Sequence, residues 1–325
     1  MKKLIGAAAV GAMLIALTGC AGGGGESGAG DGGSGDIVVG FSQVGAESGW
    51  RTANTISIQD AFEEAGIELK FSDAQGKQEN QIKALRSYIQ QGVDVIAFSP
   101  VVESGWDTVL KEAQDAGIPV VLTDRSVDSA DESLYASFLG SDFVLEGEKA
   151  GEWVVAEFAD ADAVKIVELQ GTTGAAPAND RAEGFRTAIG SDAKFEIVAS
   201  QTGDFTRAGG KQVMEAFLKS NPDIDLVYAH NDDMGLGAIE AIEAAGLVPG
   251  VDIKIVTVDA VKDGMTALSE GRINFIVECS PLLGPQLVEI ATAVAAGETV
   301  EKRIVTEETT FTQEQAIEAL PTRQY

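Results

Sequence analysis

Histidine, cysteine and basic residues are scarce in this sequence, and each shortage removes a class of function. One histidine, His230, and two cysteines, Cys20 and Cys279, in 325 residues cannot build a histidine-rich metal centre, and no HExxH or CxxC spacing occurs. There is no G-x-S-x-G elbow and no phosphate loop of the G-x-x-x-x-G-K-[ST] type. The nearest string, Gly171-Thr172-Thr173-Gly174, lacks the lysine and reads as a turn. The 23 Lys and Arg face 51 Asp and Glu, a net charge of -28. Nucleic-acid binding needs clustered cations to displace counterions, so it is excluded, and anionic ligands are repelled at long range. The acid surplus itself reads as a solubility or high-salt adaptation. No metal and no cofactor is expected, and no catalytic group stands out.

Long apolar runs are missing too, apart from Leu4 to Leu17, which follows Met1-Lys2-Lys3. A basic start, a short apolar stretch and small residues make a secretory signal, too short to span a membrane. It ends in Leu17-Thr18-Gly19-Cys20, which resembles the bacterial lipobox. That resemblance implies cleavage after residue 19 and a lipid on Cys20, which leaves Cys279 without a disulfide partner. Residues 20–36 are almost entirely Gly, Ser, Ala, Asp and Glu and have nothing with which to build a core, so they read as a tether.

From Ile37 the chain is rich in alternation. Short β-rich runs such as Ile37–Phe41, Val93–Phe98, Pro119–Thr123, Val164–Leu169, Leu226–Ala229 and Ile253–Val258 are separated by amphipathic helical stretches, among them one around Thr52 to Ala65 and one from Arg181 to Ile189. The helices repeatedly stop at a glycine just before the next strand, at Gly66, Gly92, Gly117 and Gly246. This predicts an α/β fold with parallel sheets covered by helices on both faces. Some ten strands divide more naturally into two sheets than one, with ligands at the C-terminal strand ends.

Several strings carry a resemblance. Val39-Gly40-Phe41-Ser42-Gln43 leads into Glu47-Ser48-Gly49-Trp50-Arg51; later come Leu122-Thr123-Asp124-Arg125-Ser126, Leu169-Gln170-Gly171-Thr172, Gly203-Asp204-Phe205-Thr206-Arg207 and His230-Asn231-Asp232-Asp233-Met234. Their order and spacing resemble periplasmic sugar-binding proteins of the ribose/galactose type, and Glu-Ser-Gly-Trp-Arg is similar to the galactofuranose-binding branch. The resemblance spans about Ile37 to Ala296. It implies two doubly wound parallel-sheet lobes, joined by three crossings that form a hinge, with a central ligand cleft. The expected lobes are 37–139 with 277–305, and 140–276 with 306–325. It also implies a monomeric, lipid-anchored receptor that passes a monosaccharide to an ABC-transporter permease. A chemosensory sugar receptor and a glycoside hydrolase are the alternatives.

Carried over by position, the expected ligand contacts are Glu47, Trp50, Arg51, Asp124 and Arg125 from the first lobe. The second lobe supplies Asn179, Phe205, Asn231 and Asp259, and Glu278 lies near a crossing. The residue types suit a sugar: aromatic faces cover C–H surface, while carboxylate, amide and guanidinium groups pair with hydroxyls. Trp50 is expected to stack with its indole N–H left as a donor. Two departures from the ribose-type pattern are evident: Trp50-Arg51 replaces paired aromatics, and the arginine expected near Asn179 is absent unless Arg181 takes its place. Asn231 and Asn179 also suit helix capping, and the acids beside arginines are poorly suited to general-acid work.

Overall fold

A computed structural model describes residues 37–190 and 192–325. The signal, Cys20 and the tether lie outside the described residues. The first sheet is fed by β1 (Val38–Gln43), β2 (Glu68–Asp73), β3 (Val95–Phe98), β4 (Val120–Thr123) and β5 (Ser137–Gly140), with α1 (Gly49–Glu64), α2 (Gln78–Gln91) and α3 (Asp107–Asp115) between them. The second takes β6 (Val164–Gln170), β7 (Phe195–Thr202), β8 (Leu226–Ala229), β9 (Lys254–Asp259) and β10 (Phe275–Glu278). Around these run α4 (Phe143–Glu157), α5 (Ala176–Ile189), α6 (Arg207–Ser220), α7 (Asp232–Ala244) and α8 (Lys262–Ser269). After β10 come α9 (Gly284–Ala295), β11 (Arg303–Val305), β12 (Thr310–Phe311) and α10 (Gln313–Ala319).

The strand orders are β11-β5-β4-β3-β1-β2 and β12-β10-β9-β8-β6-β7. Every pairing is parallel except β10 with β12. Central strands β3, β4 and β8 are buried at every residue, as expected of short apolar runs covered on both faces. Helix α2 ends at Gly92 in the left-handed conformation, φ 66°, and its amide caps the last turn; Gly66, Gly117 and Gly246 share that conformation.

The chain crosses between sheets three times: from β5 into α4, from β10 to α9, and from β11 to β12. Val277 and Glu278, expected to begin the first lobe's return segment, instead pair with Val258 and Asp259 in the second sheet. The second crossing therefore starts at Cys279. The helix expected from Thr52 begins at Gly49, and that expected from Arg181 begins at Ala176. Both shifts bring residues counted as loop into a first helical turn, at the mouth of the cleft.

Candidate functional site

On the first lobe the site grows from the end of β1 and the start of α1. Ser48 caps the helix, its side chain accepting from the Arg51 amide, and this aims Arg51 back across the strand ends. Arg51 is buried and donates to Glu47 Oε1 at 3.2 Å, Gln43 Oε1 at 3.2 Å and Asp124 Oδ2 at 2.5 Å. Asp124 Oδ2 also accepts from Ser99 Oγ at 3.0 Å. Arg125 donates to Glu47 Oε1 at 3.2 Å and to the Val101 carbonyl at 3.3 Å. Two guanidinium groups and two carboxylates thus form a buried, locally neutral lattice. Burial would raise the Glu47 carboxyl, but Arg51 and Arg125 outweigh it and hold it below the ordinary range. Burial and the neighbouring Arg51 lower Arg125 to about 10, so it stays charged at neutral pH.

The opposite face is built differently. Arg181 donates to Glu146 Oε2 at 2.7 Å and to the His230 carbonyl at 2.6 Å, with Asp259 Oδ1 at 3.8 Å. One arginine here faces two buried acids. Burial pushes Glu146 up to about 8 and raises Asp259 well above its usual value, despite Arg181. Asp259 Oδ2 is buried without a partner, as is Arg125 Nε on the first lobe. Three residues in the left-handed region border the same space: Asp124 (φ 62°), Phe205 (φ 59°) and Asp259 (φ 124°). The conformation is uncommon for residues other than glycine, more so for the bulky Phe205 than for aspartate, and it clusters at working sites. Gly171 makes room for the Phe205 ring, since a Cβ there would come within 1.9 Å of it.

These faces line a pocket with about 290 Å³ of empty space, its opening to solvent included. Of the expected residues it is lined by Glu47, Trp50, Arg51, Asp124, Arg125, Phe205, Asn231 and Asp259, joined by Ser48, Pro177, Arg181 and Cys279. Asn179 and Glu278 do not line it. Asn179 instead bridges the lobes, donating to Glu103 Oε2 of the first at 2.6 Å. Glu278 spends its oxygens on Arg323, Tyr325 and the Thr309 amide. Trp50 also departs from expectation: its indole N–H is taken by the Cys279 carbonyl at 2.7 Å, and its ring joins the apolar core of the second lobe. Asn231 caps α7, accepting from Met234 N, and donates to the Phe205 carbonyl at 3.1 Å, so it fixes that strained residue. Arg181, named as the possible replacement, lines the cavity, although its helix starts five residues earlier than the pattern suggested.

The lobes touch around the cavity. Gly49 N donates to Asp233 Oδ2 at 2.7 Å, Glu103 N to the Gly174 carbonyl at 2.9 Å, and the Arg125 guanidinium lies 5.3 Å from the Phe205 ring centre. This is a closed arrangement. His230 is sealed beneath it, bonded to Glu168 at 3.1 Å and, through burial, held below its ordinary pKa.

Residues 39–299 match the model of the periplasmic binding protein domain. The galactofuranose-binding protein YtfQ of Escherichia coli K12 is 48% identical over 288 residues, covering 87% of this chain and 90% of the relative. A crystal structure from Mycobacterium smegmatis in complex with β-D-fucofuranose is 64% identical with a TM-score of 0.88, covering 89% of this chain and 95% of that one. The periplasmic component of an arabinose ABC transporter from Shewanella sp. ANA-3, bound to α- and β-L-arabinofuranose, is 49% identical with a TM-score of 0.85, over 89% and 96% of the two chains. With two parallel-sheet lobes, three crossings and a closed polar cavity, the chain belongs to the periplasmic binding protein family.

Proposed function

We propose that this protein is the extracytoplasmic sugar receptor of an ABC import system and that it closes on one aldose in its furanose form. The observation that carries the proposal is the pair of unpartnered buried atoms on opposite walls of one cavity, Asp259 Oδ2 and Arg125 Nε. Arg125 Nε donates, the Asp259 carboxyl accepts when ionised and can donate when protonated, and a sugar hydroxyl can do both. A ligand that satisfies both walls favours the closed form, because closure responds only to differential affinity. The furanose assignment is supported by the sugars bound in the Mycobacterium smegmatis and Shewanella structures. Glu47, Trp50, Arg51, Asp124, Arg125, Phe205, Asn231 and Asp259 would make the contacts, with Arg181 added.

Binding without turnover fits the chemistry. Cys279, the one thiol in the cavity wall, is raised well above its ordinary pKa by burial and by Glu146 and Glu308, so it stays protonated and weakly nucleophilic. A lipid on Cys20 would hold a monomeric receptor beside its permease through the 21–36 tether, raising the local concentration. Cys20→Ala should abolish labelling by radioactive fatty acid and release the protein from the membrane fraction; labelling that persists would refute the anchor.

The direct test is a thermal-shift screen after unfolding and refolding to strip carried-over sugar. D-galactose, D-fucose and L-arabinose should raise the melting temperature, because ligand at 100 times Kd adds about 2.7 kcal/mol. A folded protein indifferent to all three would overturn the reading.

A further inference from the structure

We infer that Arg323, in the C-terminal segment and outside the cavity, is the positioning residue that holds Asp259 in its binding conformation. The inference rests on the reading of the cavity as a sugar site. Asp259 and Ala260 form a left-handed turn at the end of β9, with φ values of 124° and 65°. Neither residue is a glycine, so this turn persists only if its surroundings over-determine it. Three bonds do so. The Asp259 carbonyl accepts from Cys279 N at 3.2 Å, the Val261 amide donates to Asp232 Oδ2 at 2.8 Å, and the carbonyl of fully buried Ala260 accepts from Arg323 Nε at 2.7 Å. Among the described residues, Arg323 alone donates to the Ala260 carbonyl at the middle of the turn.

Arg323 is itself pinned. Its Nη1 donates to Glu278 Oε1 at 2.6 Å, its Nη2 donates to the Tyr325 hydroxyl, and that hydroxyl donates to Glu278 Oε1 at 3.1 Å. The guanidinium also lies 5.3 Å from the Phe311 ring centre and 4.0 Å from that of Tyr325. Glu278 is the register partner of Asp259 on the adjacent strand. The acid expected to touch ligand therefore serves the site at one remove, by anchoring the arginine that supports the turn. Because Glu278 is the last residue before the second crossing, the same arginine ties the binding carboxylate to the hinge.

The test measures D-galactose affinity, supplied as the equilibrium mixture of ring forms, for the wild type, Arg323→Ala, Asp259→Asn and the double variant. Arg323→Ala should weaken binding about tenfold or more. Adding it to Asp259→Asn should cost less than about twofold further, because the carboxylate it positions is already gone. A packing role alone would give losses that multiply, and that result, or wild-type affinity in Arg323→Ala, would overturn the inference. Arg323→Lys should recover part of the loss by restoring a donor to Ala260. If Arg323→Ala does not fold, Tyr325→Phe takes its place, with a loss of about threefold expected and the same dependence on Asp259. If no aldose binds even the wild type, the receptor reading fails by itself. Hydrogen exchange of the ligand-free protein then decides the matter here: Arg323→Ala or Tyr325→Phe should speed exchange at Val261 and Cys279, and unchanged exchange would overturn the assignment.

Discussion

The two walls of the cavity solve the same problem in opposite ways. The first-lobe wall is an ionic lattice in which Arg51, Arg125, Glu47 and Asp124 neutralise one another and leave the Arg125 Nε–H without a hydrogen-bond partner. The second-lobe wall sets Arg181 against Glu146 and Asp259 and leaves a carboxylate oxygen unpaired on a strained turn. A neutral lattice is rigid and gives a receptor a fixed platform. An acid surplus with an orphan carboxyl oxygen is incomplete, and a sugar hydroxyl completes it. The difference teaches where the ligand's free energy should act: the first wall orients, and the second rewards closure.

Breaking the lattice should have the largest effect, and it should fall on stability. Arg51→Ala takes its shortest ion pair from the buried Asp124 carboxylate and leaves Glu47 with Arg125 alone, so denaturant unfolding should show a loss of about 3–5 kcal/mol. A loss below about 1 kcal/mol would mean the lattice is not a platform. Asp259→Asn should show the reverse pattern. Calorimetric titration should give affinity weakened by about 2 kcal/mol, roughly thirtyfold, with little change in ligand-free stability.

The acid surplus also has a pH signature. Glu146 holds its proton up to about 8 in the folded protein against 4.5 ordinarily, so its contribution to stability is complete below 4.5 and is lost as pH rises towards 8. The expected slope is at most about 1.4 kcal/mol per pH unit. Glu146→Gln should flatten it, although Asp232, which burial raises to about 7, acts in the same direction and keeps some slope. Glu47 has the opposite sign: its stabilisation is present above its ordinary value and lost as pH falls through the depressed one. Stability profiles that move the same way for Glu146→Gln and Glu47→Gln would erase the contrast between the walls. The smallest effect is expected from Trp50→Phe, which removes the bond to the Cys279 carbonyl but keeps a ring. Affinity should fall by about 1 kcal/mol, or fivefold.

Much of this was legible in the sequence because the strand ends announce themselves. A glycine-stopped helix followed by an apolar run locates Asp124 and Asp259, and the apolar run Leu226–Ala229 alone locates Asn231, at C-terminal strand ends, where side chains converge on the cleft. What failed to show depends on distant partners. Glu278 is also a strand-end acid, but Arg323, 45 residues later, claims it. The direction of Asn179 is set by Glu103 of the other lobe, and the use of the Trp50 N–H by a carbonyl 229 residues away. Strands of two to four residues, β5, β11 and β12, are too short to show a period. Arg181 was recognisable only as a possible replacement, because the start of its helix was placed too late to show it facing inward.

The most direct test of the central claim is the ring form of the bound sugar. D-galactose labelled with carbon-13 at C1 can be added to stripped protein and its anomeric resonance followed by NMR. A bound signal at the downfield position of a furanose anomeric carbon, enriched over the free mixture and lost in Asp259→Asn, is the predicted result. A bound signal at the pyranose position, or a spectrum identical to free sugar, would contradict it.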